Sequence, residues 1–130
     1  MRPIDTKLET ELRRGILQIA VLSLLREPRY GYALGQVLGE NGLAVEEGTL
    51  YPLLRRMEEQ GLLESWWLTE EARPRKYYRT TPDGEESLRV LVETWGRVDA
   101  SLRRILETPV NQDAKVRPQP PAGGEGASHG

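Results

Sequence analysis

The sequence predicts an α+β fold that is mainly helical, on three observations. The run GTLYPLLRRMEEQGLL, from Gly48 to Leu63, spaces Leu50, Leu53, Leu54 and Met57 along one helical stripe. Thr49, Tyr51, Pro52, Arg55, Arg56 and Glu59 are left on the opposite face, whose hydroxyls and guanidiniums can donate to phosphates and base edges. The run RPRKYYRTTPDG, from Arg73 to Gly84, is short and β-prone and carries Arg73, Arg75, Lys76 and Arg79 with no acid among them, interleaved with Tyr77 and Tyr78. Finally, Leu88, Leu91, Trp95, Val98, Leu102 and Ile105 recur at spacings of 3, 4, 3, 4 and 3, a coiled-coil seam that needs a partner. A cationic hairpin beside an amphipathic helix makes a winged helix-turn-helix, here followed by a long C-terminal dimerisation helix.

The elements can be justified in order. A first helix is expected from Thr6 to Leu25, where Leu8, Leu12, Ile16 and Ile19 recur at helical spacing and Pro28 closes the segment. From Ile16 to Leu25 apolar residues occupy nearly every face, which suits a helix sandwiched between its own domain and something else. Its first half is amphipathic and suited to reach a partner subunit. Tyr30 to Asn41 reads as a short second helix, with Tyr32, Leu34, Val37 and Leu38 as packing residues and Asn41-Gly42 as its stop. The third helix starts between Glu47 and Thr49. Pro52 lacks an N–H and fits best in a first turn, so a start with Thr49 as N-cap is preferred; a start at Glu47 would leave the Gly48 carbonyl without a partner. Gly61 stops that helix.

Leu63 to Leu68 and Arg75 to Thr80 read as the two wing strands, joined by a loop around Thr69 to Pro74. Thr81-Pro82 opens the last helix, with Thr as N-cap, Pro at the first helical position, and Asp83, Glu85 and Glu86 in the opening turn. This helix is expected to reach Leu106. Beyond Pro109 the chain is too poor in apolar residues to offset the entropy of ordering it, which predicts a disordered tail. The expected organisation is a DNA-binding winged domain over residues 1–80, a dimerisation helix over 81–107 and the tail over 108–130.

Composition narrows the function. The net charge is −2, from 18 Lys plus Arg against 20 Asp plus Glu, so overall charge does not by itself suggest nucleic acid. Distribution does: residues 1–80 hold 12 basic and 12 acidic side chains and residues 81–130 hold 6 and 8, so the acidic excess lies outside the winged part. There is no Cys, and the sole His, His129, sits in the Gly-rich tail, which argues against disulfides, thiolate chemistry and zinc. With no nucleophile–base pair and no Gly-rich strand-to-helix phosphate loop, neither an enzyme nor a cofactor is expected. No apolar stretch has spanning length, and Met1 to Thr10 carries Asp5 and Glu9 without a hydrophobic signal core, so the expectation is a soluble cytoplasmic protein without membrane contact.

The aromatic residues admit more than one reading. Tyr77 and Tyr78 point to opposite sides of their strand, so at most one belongs to the core; a base-stacking platform is the alternative. Of Trp66 and Trp67, one ring is expected inward and the other partly exposed, both packing at the wing base. Trp95 stands mid-seam, where so large a ring holds two helices apart unless the rings stack or a cavity opens. The plain reading is a dimer-core tryptophan, and the sharper one is a ligand cavity. Asp99, one turn on, either balances a cationic ligand or points to solvent.

GTLYP, MEEQGLLES, RKYYRTT and the upstream Tyr30-Gly31-Tyr32 together resemble the PadR family of transcriptional regulators, over roughly Leu12 to Leu106. The likeness is to its small members with a single long C-terminal helix. It implies that Thr49, Tyr51 and Arg55 approach the major groove, with Arg55 on a guanine edge, while Arg73, Arg75 and Lys76 hold flanking phosphates or the minor groove. The family commonly has a tryptophan that best matches Trp67. In some small members a tryptophan near the position of Trp95 lines a pore between subunits that takes planar drug-like compounds. The resulting expectation is a homodimeric, sequence-specific regulator of transcription, a repressor on a palindromic operator in double-stranded DNA, released by a small planar effector. A protein-interaction module with weak or no DNA binding is the alternative, because Glu58 and Glu59 stand beside the arginines of the third helix.

Overall fold

The structure is a computed structural model and describes residues 3–69, 73–110 and 119–122, with side chains from Thr6 onward. The tail expected from residue 108 lies mostly outside these residues, as do His129 and the middle of the wing loop. The order of elements is α1 (Pro3–Leu24), β1 (Arg29–Tyr30), α2 (Gly31–Glu40), α3 (Glu47–Glu59), β2 (Leu63–Leu68), β3 (Arg75–Thr80) and α4 (Pro82–Leu106). Residues up to Val98 form one compact unit and residues from Asp99 a second. The fold is α+β and mainly helical, as its sequence patterns predict. No described helix is long and apolar enough to cross a membrane.

The three strands form an antiparallel sheet in the order β1-β3-β2. Its register pairs Leu63 with Thr80, Trp66 with Tyr77, and Leu68 with Arg75, while β1 sets Tyr30 opposite Tyr77. Strand alternation thus puts Leu63, Ser65, Trp67, Lys76, Tyr78 and Thr80 on the inner face. Leu63 and Tyr78 join a core completed by Leu17, Val21, Leu22 and Leu25 of the first helical segment, Leu34 and Leu38 of α2, and Leu50, Leu53, Leu54 and Met57 of α3.

Glycine-assisted stops end both middle helices. Gly42 and Gly61 adopt φ of 83° and 81°, where an L side chain would clash. Leu43 N–H then donates to the Leu38 carbonyl at 2.8 Å, and Leu62 N–H to that of Met57 at 2.9 Å, satisfying carbonyls the helices leave open.

A dense joint follows. Thr80 is 5 % exposed; its hydroxyl donates to the Leu22 carbonyl and its N–H to the Leu25 carbonyl, both at 2.8 Å. The Thr81 hydroxyl accepts from Gly84 N–H at 3.0 Å as an N-cap and donates to the Gly61 carbonyl at 2.7 Å. Gly84 is buried there, and a Cβ on it would overlap the Leu62 carbonyl oxygen and the Thr80 methyl.

Four expectations need correction. The third helix starts at Glu47, not after Thr49: the Glu46 carbonyl accepts from Thr49 and Leu50 N–H, both at 2.9 Å, so Glu46 takes the N-cap position, though its side chain makes no capping bond. Pro52 does deprive the Gly48 carbonyl of a helical donor, but Gly48 is exposed, so this carbonyl need not be left dry. Tyr30 lies in β1, a two-residue strand with no period to read, and only then precedes α2. Tyr32 does not pack; it is 56 % exposed because Gly31, Leu34 and Leu38 form the buried stripe and Tyr32 stands two residues before Leu34, on the far side. Neither Trp66 nor Trp67 enters the core. Trp66 is half-buried on the outer face, and Trp67 lies on the inner face beyond the end of the core, 61 % exposed.

The joint makes a stability prediction. Gly84→Ala gains up to about 1 kcal/mol of helix propensity but overpacks against a backbone oxygen that no rotamer change relieves, at a cost of about 1–3 kcal/mol or more. Net destabilisation is expected as a lower urea midpoint at unchanged m. An equal or higher midpoint would show that α4 does not seat on the Gly61–Leu62 turn.

Candidate nucleic-acid interface

Helix α3 buries Leu50, Leu53, Leu54 and Met57 and so divides its accessible surface into two flanks. Tyr51, Arg55 and Glu58, spaced by four and three, run along the flank beside the sheet. Thr49, Pro52 and Arg56, spaced by three and four, run along the flank beside α1. Arg55 and Arg56 are exposed, and neither closes an ion pair among the described residues. Glu58 does not offset them outward: its carboxylate accepts from the Ser65 hydroxyl at 2.7 Å and is held against β2. Glu59 remains exposed.

Between α3 and the wing lies an open cleft of about 620 Å³, lined by Tyr30, Tyr32, Tyr51, Trp67, Tyr78 and the cations Arg73, Arg75 and Lys76, with Gly31 and Pro74. Tyr51 is half-buried, its ring over Gly31, where a Cβ would come within 2.6 Å of the phenol oxygen. Burial, helped by nearby Glu47, raises its pKa and keeps it a neutral phenol that can donate a hydrogen bond. Tyr78 forms the floor at 6 % exposure; burial raises its pKa too, with Glu58 and Tyr51 adding and Arg55 opposing. Lys76 Nζ sits 5.7 Å from the centre of the Tyr78 ring.

The outer face of the sheet carries an aromatic row. Trp66 stacks on Tyr77 at 6.3 Å between ring centres, and Tyr77 meets Tyr30 at 5.7 Å. Two guanidiniums cover the row, Arg75 at 4.5 Å over Tyr30 and Arg79 at 5.4 Å over Trp66. Arg79 also donates through Nε to Glu64 at 2.8 Å, which offsets its charge. The arrangement pre-orders the root of the wing and leaves Arg73 exposed near its tip.

On the other flank of α3 a groove of about 380 Å³ is lined by Thr10, Arg13, Arg14 and Leu17 of α1, Ala44 and Val45 of the turn, and Gly48, Thr49, Pro52, Leu53 and Arg56 of α3. The residues singled out from sequence are therefore divided. Tyr51, Arg73, Arg75 and Lys76 meet in the wing-side cleft, Thr49, Pro52 and Arg56 line the α1-side groove, and Arg55 stands exposed on the wing-side flank. Sequence reading missed Tyr30, Tyr32 and Trp67 as cleft residues and Arg13 and Arg14 as groove residues. The Tyr30-Gly31-Tyr32 triplet was a usable signal; for the two arginines the azimuth of α1 over α3 is a tertiary fact.

Residues on α4 form a different surface. Leu88 and Leu91 pack at the edge of the core, whereas Trp95, Val98, Leu102 and Ile105 are about half-exposed or more. On α1, Leu8 and Leu12 are exposed as well. Asp99 accepts from Arg103 Nε at 2.9 Å, one turn on. Among the described residues no cluster of acids or His is placed to hold a metal ion.

Residues 21–90 match the transcriptional regulator PadR-like family. A PadR family transcriptional regulator of Eggerthella lenta, known from a crystal structure, is 48 % identical, with a TM-score of 0.76 over 82 % of this chain and 95 % of that one. A PadR-like transcription factor of Bacteroides fragilis is 37 % identical, with a TM-score of 0.65 over 76 % of this chain and 98 % of the other. A transcriptional regulator of Mycobacterium tuberculosis is 37 % identical over 79 residues, 60 % of this chain and 74 % of its own length. With the fold, the exposed recognition-helix flanks and the cationic wing in agreement, the chain belongs to the PadR-like family of transcriptional regulators.

Proposed function

We propose that the protein is a homodimeric repressor that occupies a palindromic operator, with residues 1–80 gripping DNA and the helix of residues 81–107 joining the subunits. The observation that carries this reading is the separation of charge around α3: its arginines face outward unpaired while Glu58 is turned onto Ser65. The alternative of a protein-interaction module drew on Glu58 and Glu59, of which Glu58 is turned to the sheet and Glu59 stays exposed. Thr49, Tyr51, Pro52, Arg55 and Arg56 meet the major groove or its edges in this reading, and Arg73, Arg75 and Lys76 hold the flanking backbone.

Dimerisation is supported by the exposed apolar row of Trp95, Val98, Leu102 and Ile105, which water would otherwise cover, and by Leu8 and Leu12 on α1. Two recognition helices then face half-sites about one DNA turn apart. Repression is relieved when a planar ligand stacks on Trp95 at the subunit interface and alters the angle between the α4 helices. A change of a few ångströms in the spacing of the recognition helices is enough to mismatch consecutive grooves.

The direct test is selection of bound duplexes from a random pool by the purified protein near physiological salt. A two-fold symmetric consensus is expected, and recovery of no consensus would return the protein-interaction reading. On the selected duplex, Arg55→Ala should lose about 1–3 kcal/mol relative to mixed-sequence DNA; equal loss on both would make Arg55 a phosphate contact. Leu102→Glu should sediment as a monomer at concentrations where the parent chain is dimeric. A surviving dimer would place the subunit interface away from the α4 row.

A further inference from the structure

The α1-side groove holds a combination of charges that the fold does not explain. Arg13 and Arg14 come from α1 and Arg56 from α3, and all three are exposed around one concavity whose lining includes no acid. Glu9 and Glu11 lie within a turn on α1, yet neither closes an ion pair with these arginines among the described residues. Several other arginines are engaged by their own neighbours: Arg79 by Glu64, Arg89 by Glu86 and Glu93, Arg103 by Asp99, Arg97 by Thr94 and Arg104 by Ser101. Three guanidiniums left open around one groove repel one another, which costs rather than contributes stability. A groove of this charge is complementary to an anion.

The position of the groove identifies that anion. Thr10, Arg13, Arg14 and Leu17 are spaced by three, one and three, so they share one face of α1, and Leu17 anchors that face in the core. Leu8, Leu12, Ile16 and Ile19 run along a different face, so an apolar contact made there by a partner subunit leaves the arginines open. The groove lies on the flank of α3 opposite the wing. A recognition helix in a major groove about 12 Å wide has a phosphate backbone on each side of it. The wing supplies cations on one side only. Leu17, Val45 and Leu53 give the groove an apolar lining, which lowers the local dielectric and strengthens any guanidinium–phosphate contact made over it.

We propose that this groove is a second phosphate-binding wall, in which Arg13 and Arg14 together with Arg56 hold the DNA backbone on the side of α3 away from the wing. The proposal rests on the DNA-binding reading above and extends its footprint to α1. It makes α3 a helix clamped between two cationic walls, so that its register in the major groove is set from both sides and not by the wing alone.

The test is the salt dependence of binding to a fluorescein-labelled duplex of mixed sequence, two helical turns long, since phosphate contacts need no operator. Arg13→Gln with Arg14→Gln removes charge while retaining polar side chains on α1, and Arg13→Lys with Arg14→Lys keeps charge. Arg75→Ala with Lys76→Ala serves as the wing comparison. The Gln pair should reduce the slope of log affinity against log salt by about two, close to one for each phosphate no longer neutralised, and the Lys pair should restore it. A slope unchanged in the Gln pair but reduced in the wing variant would overturn the proposal while leaving DNA binding by the wing intact. Absence of DNA binding by the parent chain would overturn both. Loss of folding by circular dichroism, or of the dimer by sedimentation, in the Gln pair would make the arginines structural and overturn it as well.

Discussion

The relative placement of α3, the wing and the start of α4 depends on the short segment from Thr80 to Gly84. Thr80 takes up the Leu22 and Leu25 carbonyls at the end of the first helical segment, and Thr81 takes up the Gly61 carbonyl just beyond α3 while capping α4. The root of the wing, the end of the recognition helix and the start of α4 are thereby fixed to one place. The bond to Leu22 also satisfies a carbonyl that the end of α1 would leave open, and burying such a group unpaired costs about 1–3 kcal/mol. Gly84 then lets the first turn of α4 approach the Leu62 carbonyl more closely than any side chain allows. A displacement of α4 near this joint has few soft places to dissipate before it reaches the wing or α3, because packed interiors shift between discrete arrangements and do not deform continuously.

The same joint explains why α4 has two kinds of surface. Leu88 and Leu91, one and two turns after Gly84, pack at the edge of the core, while Trp95, Val98, Leu102 and Ile105 are exposed farther on. On the dimer reading proposed above, this exposed heptad stripe is the subunit contact. The exposed Leu8 and Leu12 on α1 have the same character.

Much of this was legible in the sequence, and the exceptions have physical causes. The bounds of β2, β3 and α4 follow from alternation, a Thr-Pro start and the last heptad residue, all local signals, and they coincide with the observed elements. The two-residue β1 exists only because β3, far along the chain, offers Tyr77 and Tyr78 as partners for Tyr30 and Arg29, a long-range cause no local pattern carries. Pro52 argued for a later start of α3, and the argument failed because Gly48 is exposed, where a carbonyl without a helical donor costs little. Trp67 obeys strand alternation yet is exposed, since alternation tells which face a residue takes but not how far the core extends beneath it. For the site, the residue types on α3 and the wing were readable, but their division between two concavities was not. That division follows from where α1 and the sheet stand beside α3.

A net charge of −2 is compatible with a polyanionic partner once the charges are followed in space. Glu64, Glu86, Glu93 and Asp99 are paired with arginines on their own helix or the neighbouring strand, and Glu58 is hydrogen-bonded to Ser65. Pairing of this kind is worth little as stability at an exposed surface. Its consequence is distributional: Glu64, Glu86, Glu93 and Asp99 are offset locally, and Arg55, Arg56 and Arg73 remain exposed around α3 and the wing. The overall field still gives little long-range attraction, because beyond a Debye length of about 8 Å only the summed charge matters and that sum is slightly negative. Association with DNA must therefore rely on contacts made at close range, where each released counterion counts, and not on electrostatic steering from a distance. On the DNA-binding reading proposed above, discrimination then comes from fit to the groove more than from attraction to any duplex, as a regulator needs when non-specific DNA is in vast excess.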